Sequence, residues 1–123
     1  MINTQEKVER LCERAFDTPQ FATQGAVLFV DLERCETRRV FLPGEIFQNF
    51  LGGRGANMAL LYNLLPEGLD PLDPQVPLIF CAGVLTSLIP GAPRGNVSGV
   101  APDSDAILDS NAGDYFPSFL RRQ

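Results

Sequence analysis

Three short stretches of this chain carry residue types that hold anions. Gly52-Gly53-Arg54-Gly55 lies between two apolar segments. Glycines at a helix entrance let the backbone approach a bound anion, the first free N–H groups point at it, and an adjacent arginine adds charge-assisted bonds. Gly53, Arg54 and Gly55 would then suit a phosphate or a pterin-type group. A plainer reading stands beside this one: a helix stop and a tight turn, with Arg54 in solvent. The stretch is not a P-loop, because no lysine with Ser or Thr follows the glycines, and it is not a GxGxxG run after a strand. The second stretch, GAPRGNVSG from Gly91 to Gly99, sets Arg94 in a loop of glycine and proline that can hold one arginine against a ligand. The third, Asn111-Ala112-Gly113-Asp114, has the composition of a helix start, with Asn111 or Asp114 as the cap.

What is missing narrows the chemistry further. There is no histidine, so the usual general base and the commonest metal ligand are both absent, and no Ser-His-Asp, Cys-His or zinc-hydrolase mechanism can be assembled from this chain alone. Cys12, Cys35 and Cys81 are odd in number and widely spaced, which fits neither a disulfide framework nor a local metal or cluster site. Asp103, Asp105, Asp109 and Asp114 lack the glycine and terminal glutamate of a calcium loop and read as scattered surface acids. Asn96-Val97-Ser98 matches a glycosylation sequon, but no signal peptide precedes it, so the match is read as coincidence.

The 123 residues carry a net charge of −5, and 45% are hydrophobic. That is room for one ordinary core. The acidic balance argues against nucleic acid as a partner. Nine of the ten basic residues are arginine, with Lys7 the single lysine. The longest apolar stretch, Leu78 to Leu85, falls far short of the roughly 20 residues of a membrane span. A soluble, cytoplasmic protein without membrane contact is expected.

The elements that must position these stretches can be read from periodicity. Val8, Leu11, Cys12, Ala15 and Phe16 form one stripe of a helix from Asn3 to Phe16, opened by a capping-box-like Asn3 and Glu6. With the polar stretch to Gln24 it reads as an amphipathic extension and linker over residues 1–24. Ala26 to Val30 and Arg38 to Leu42 read as a β-hairpin. Ile46 to Leu51 and Met58 to Leu65 read as two helices flanking the glycines. The proline-rich run from Pro66 to Pro77 can only be an extended connection. Leu78 to Cys81 reads as a strand, Val84 to Pro93 as a loop, Asn96 to Val100 as a weak strand, Ala106 to Leu108 as a short apolar run, and the segment after Asp114 as a helix. Roughly five short strands, mixed or antiparallel, with three or four helices make an α+β domain over residues 25–123. Its end at Arg121-Arg122-Gln123 has no closing strand and reads as incomplete.

Taken in order, Val30-Asp31-Leu32, FLGGRGANMALLY from Phe50 to Tyr62, LPEGLDPLDPQVPLIFCAGVLT from Leu65 to Thr86, an arginine loop, and SNAGDYF from Ser110 to Phe116 are specific. The succession resembles the N-terminal domain of the tungsten- and molybdenum-dependent aldehyde ferredoxin oxidoreductase family. The resemblance implies a base domain on which a tungsten or molybdenum bis-pterin cofactor rests. It implies that Arg94 contacts the pterin and that the backbone carbonyl of Asn111 helps to hold a magnesium ion between cofactor phosphates, with Arg54, Gly53, Gly55 and Gly113 near the same surface. Physics suits these roles, since arginine is a permanent donor and a carbonyl oxygen is a proper ligand for a hard cation. Asp114 stands where a glycine is common in the family.

Family members are several times longer, and the resemblance implies that a [4Fe–4S] cluster and the catalytic groups belong to regions absent from these residues. The expected function is therefore the cofactor base of an oxidoreductase that oxidises aldehydes or reduces acids with a ferredoxin-like carrier, inactive alone and completed by other domains or subunits. The alternative is a non-catalytic interaction or oligomerisation module derived from the family, with a homo-oligomer as one form.

Overall fold

The computed structural model describes residues 3–20 and 25–123. It contains α1 (Thr4–Glu13), β1 (Ala26–Asp31), β2 (Glu36–Phe41), α2 (Gly44–Phe50), α3 (Arg54–Leu64), β3 (Ile79–Ala82), β4 (Gly95–Val100), β5 (Ile107–Ala112) and α4 (Tyr115–Arg122). The α+β expectation is met with every strand pair antiparallel: β1 pairs with β2, and β3-β4-β5 form a second sheet.

Asn3 caps α1, its Oδ1 accepting the Glu6 N–H at 2.8 Å. The helix stops short of the expected Phe16. Phe16 instead exchanges two backbone hydrogen bonds of 2.8 Å with Phe41 of β2, because the chain turns out of the helix after Glu13 and lies along the hairpin. Four stripe residues do face inward. Cys12 is buried with Val40, Leu42, Leu60 and Leu64, and Val8, Leu11 and Ala15 pack against them. Each fully buried aliphatic side chain here contributes about 1.5–3 kcal/mol. Lys7 donates to the Leu65 carbonyl at 2.8 Å, which joins α1 to the end of α3. Of the expected linker, residues 21–24 lie outside the described residues.

The helix α3 is central. Leu60 and Leu64 face the hairpin and α1, while Asn57 lies on the three-stranded sheet and donates to the Ile79 and Asn96 carbonyls. On the opposite face of that sheet, Phe80 meets Phe116 of α4 edge to face at 6.0 Å, and the buried Pro117 seats over Gly95. Arg39 Nη2 donates to the Gln123 carbonyl at 2.6 Å and ties α4 to the hairpin. The connection between α3 and β3 is a series of turns in which the Asp70 and Asp73 carboxylates accept the N–H groups of Leu72 and Gln75, both at 2.8 Å.

Two expectations near the C-terminus need correction. Asn111 is not a helix cap but a strand residue, paired with Asn96. Asp114 takes the cap position before α4 with φ 64°, yet its side chain bonds no helix N–H. The ladder to β4 carries β5 three polar residues beyond the apolar run at Ala106 to Leu108, so the helix starts later.

Candidate functional site

Strand register brings the expected residues to one end of the three-stranded sheet. Ala82 faces Gly95, and Gly95 faces Ala112. Gly83, Arg94 and Gly113 are therefore the next residues outward on three adjacent strands. The turn before α3 joins them: the Gly53 N–H donates to the Ala82 carbonyl at 3.2 Å, and Gly53 lies against Gly83.

The two glycines expected to face a ligand have local explanations. Gly53 is buried at φ +56°, a conformation that L side chains rarely adopt. At Gly55 a Cβ would stand 2.1 Å from the Phe50 carbonyl oxygen, so the missing side chain lets α3 start directly against the end of α2. Gly113 differs, because a Cβ there would meet no atom within 4 Å. The space beside Asn111 is open.

Arg94 is held by its backbone, and its head bonds no other side chain among the described residues. Its carbonyl accepts the hydroxyl of the buried Thr86 at 2.7 Å and the Gly83 N–H at 3.4 Å, while the residue itself is exposed. A fixed base with an exposed guanidinium is the arrangement the loop composition suggested. Asn111 is also exposed, and β5 is the sheet's edge, where alternate carbonyls have no ladder partner.

Arg54 is not simply a solvated side chain. Its Nε lies 2.9 Å from Asp109 Oδ2, with 60% of the arginine side chain exposed. Asp109 Oδ1 accepts Asn96 Nδ2 at 2.6 Å, and the same amide lies 3.2 Å from Asn111 Oδ1. Behind them Ser98 Oγ donates to Asn96 Oδ1 at 2.6 Å, and Asn57 Nδ2 donates to Asn96 Oδ1 at 3.0 Å. Asn57, Asn96 and Ser98 are all at most 3% exposed. Asn57 Oδ1 is the one buried side-chain polar atom without a partner among the described residues. Asp109 is thus not a scattered acid, and the Asn96 sequon is sealed inside the protein.

Sequence reasoning missed Asn57, Asn96, Ser98 and Asp109. The available signal was an asparagine inside an otherwise apolar helix, where a polar side chain must either face water or find buried partners.

No group of three or more His, Cys, Asp or Glu side chains that could hold a metal occurs among the described residues. A hard cation at this end would need backbone oxygens or ligands from a bound molecule. Burial raises the Cys81 thiol above its ordinary range, partly countered by a hydrogen bond from the Gly53 backbone, so it stays protonated at neutral pH. An open groove of about 820 Å³, lined by Met58, Leu61, Tyr62, Val100 and Ile107 among others, sits toward the opposite end of the sheet and gathers none of the expected residues. Among the described residues no helix is long and apolar enough to cross a membrane.

Residues 27–123 match the family model for the aldehyde ferredoxin oxidoreductase N-terminal domain. A tungsten-containing aldehyde ferredoxin oxidoreductase of Pyrococcus furiosus is 36% identical over 102 residues, covering 82% of this chain and 17% of the relative. An aliphatic sulfonate oxidoreductase, WOR-like subunit, from the same organism is 33% identical over 93 residues, covering 73% of this chain and 15% of the relative. Among solved structures, the active-site complex BamBC of benzoyl coenzyme A reductase with 1,5-dienoyl-CoA matches with a TM-score of 0.76 and 33% identity, over 79% of this chain and 15% of that chain. The chain spans about one-sixth of the length of these curated relatives.

Proposed function

Because this chain belongs to the aldehyde ferredoxin oxidoreductase family as its N-terminal domain, we propose that it is the cofactor base of a tungsten- or molybdenum-pterin oxidoreductase. The observation that carries the reading is the placement of Arg94 and Gly113 side by side just beyond the paired ends of β4 and β5, with Asn111 at the same end of β5, Arg54 following a turn bonded to Ala82 and reaching β5 at Asp109, and open space at Gly113. The donor set fits an anionic, phosphate-bearing molecule: two permanently charged guanidiniums with exposed heads, and an edge strand beside them. When bound, the cofactor supplies the redox chemistry.

In this reading the chain's own residues bind and orient. Arg94, clamped through Thr86, donates to the pterin. The Asn111 carbonyl, on the edge strand, would hold a magnesium ion that offsets phosphate charge. Arg54, its charge offset by Asp109, donates to phosphate oxygens through its remaining guanidinium N–H groups, while Gly53 and Gly55 shape the turn that brings it there. Asp114 lies in this neighbourhood with an exposed side chain, so its charge can face water or the cation. Aldehyde oxidation, the ferredoxin-like carrier and the [4Fe–4S] cluster belong in this proposal to other domains or subunits, and the chain by itself does not turn over substrate.

A second reading has its own observation. Phe50, Leu51, Leu85, Leu88 and Ile89 are each at least 48% exposed, a large amount of apolar surface for one small domain. Other parts of the same enzyme cover such a surface in the first reading, and a second copy covers it in an interaction module.

The test is production in a host that makes tungstopterin, with tungstate or molybdate and without oxygen, followed by metal and pterin analysis of the chain with everything that copurifies. The expected result is about one metal per chain, lowered about tenfold by Arg94→Ala. Asn111→Ala, which keeps the backbone carbonyl, should lower it less. A metal-free dimer unaffected by either change overturns the reading in favour of the interaction module.

A further inference from the structure

The three-stranded sheet carries a polar chain that begins in the interior and ends on the surface. Ser98 and Asn57 bond the Asn96 amide, Asn96 bonds Asp109 and Asn111, and Asp109 pairs with Arg54. An ordinary surface ion pair has two mobile ends and contributes little. This one has a fixed end. Asp109 uses one oxygen for Arg54 and the other for an amide whose residue is only 3% exposed.

The carboxylate takes the guanidinium at Nε, which sets the plane of the group and leaves its other donors available, with 60% of the side chain open. The same Asn96 amide reaches Asn111 Oδ1 and steadies the residue whose carbonyl is assigned to magnesium. Two separate parts of the site, one on α3 and one on β5, are therefore joined through a single acid. That acid would repel cofactor phosphates if it stood alone, and Arg54 cancels its charge.

We propose that Asp109 is a positioning residue that, through Arg54 on one side and Asn96 and Asn111 on the other, locks the phosphate-facing and magnesium-facing parts of the site into one arrangement. The inference rests on the cofactor reading given above. Asp109 does not itself contact the cofactor.

The experiment compares wild type, Asp109→Ala, Asp109→Asn, Arg54→Ala and the Arg54→Ala/Asp109→Ala double variant. All are produced in a tungstopterin-making host and isolated with copurifying proteins. Tungsten and magnesium per chain, oxidised-pterin fluorescence and the thermal midpoint are measured for each. Asp109→Ala should lose about tenfold in tungsten, magnesium and pterin, the lower end for a residue that orients a ligand. Arg54→Ala should lose tungsten and pterin to a similar degree, and the double variant should lose no more than the worse single. Asp109→Asn keeps an oxygen for Asn96 without the charge and should retain more than Asp109→Ala. Thermal midpoints should stay within a few degrees of wild type. If Asp109→Ala does not fold, the near-isosteric Asp109→Asn decides alone, with a loss of cofactor at an unchanged midpoint expected. Wild-type cofactor content in a folded Asp109 variant, losses that multiply in the double variant, or losses that only follow the midpoint overturn the inference and leave the cofactor reading standing. A wild-type protein without tungsten, molybdenum or pterin overturns both.

Discussion

The two sides of α3 are built from opposite materials. Toward the hairpin and α1 it buries Leu60 and Leu64 against Cys12, Val40 and Leu42, an interior held by shape and dispersion. Toward the three-stranded sheet, one to two turns earlier, it buries Asn57 against Asn96, Ser98 and the Ile79 carbonyl. The apolar side gains stability from volume and tolerates exchange of similar side chains. The polar side depends on each donor finding its acceptor, and it leads outward to Arg54 and Asn111. The expected site residues all lie at the polar end, so in the cofactor reading proposed above the chain separates what keeps it folded from what would face the ligand.

Substitutions can break this contrast from either side. The largest effect is expected at Leu42, which is fully buried. Leu42→Ala should destabilise by about 2–5 kcal/mol in urea unfolding, while the fraction still folded keeps its cofactor content. Asn57→Leu comes next, at about 1–3 kcal/mol, because Asn96 Oδ1 and two strand carbonyls lose a donor, partly offset by removal of the orphan Asn57 Oδ1. Here cofactor content should fall together with stability. If it does not, the polar interior is structural only.

The smallest effect is alkaline. Burial raises the thiols of both Cys12 and Cys81, one in each half. A raised value in the folded state means that stability is fully present below about pH 8.5, the ordinary thiol value, and is lost as pH rises through the folded values. Cys12→Ala and Cys81→Ala should each flatten the decline in the urea midpoint above that pH. A decline removed by Cys12→Ala alone would confine the alkaline weakness to the apolar half.

The apolar half was the more legible of the two. The α1 stripe, the hairpin and the helices around the glycines announce themselves by period and by breakers, since apolar burial leaves a mark on every turn. Arg94 and Asn111 could be named only as members of ordered motifs. The polar half leaves no period. Asp109, Ser110 and Asn111 extend β5 through pairing with β4, which composition does not reveal, and a lone Asn57 in an apolar helix does not say which partner it will find. Phe16 looked like part of the α1 stripe because its spacing is helical, but its backbone found better partners on β2.

That same Phe16–Phe41 bridge decides how the hairpin sheet can grow. It closes the outer edge of β2 at its apolar end, while Glu36, Arg38 and Arg39 place charge along the rest. Strand addition there is blocked. Among the described residues the outer edge of β1 has no such guard, and its Leu28 and Val30 are more than half exposed. Two hairpins that meet through β1 would leave only their guarded edges outward, so that pairing would end at a closed unit rather than run on into a fibre.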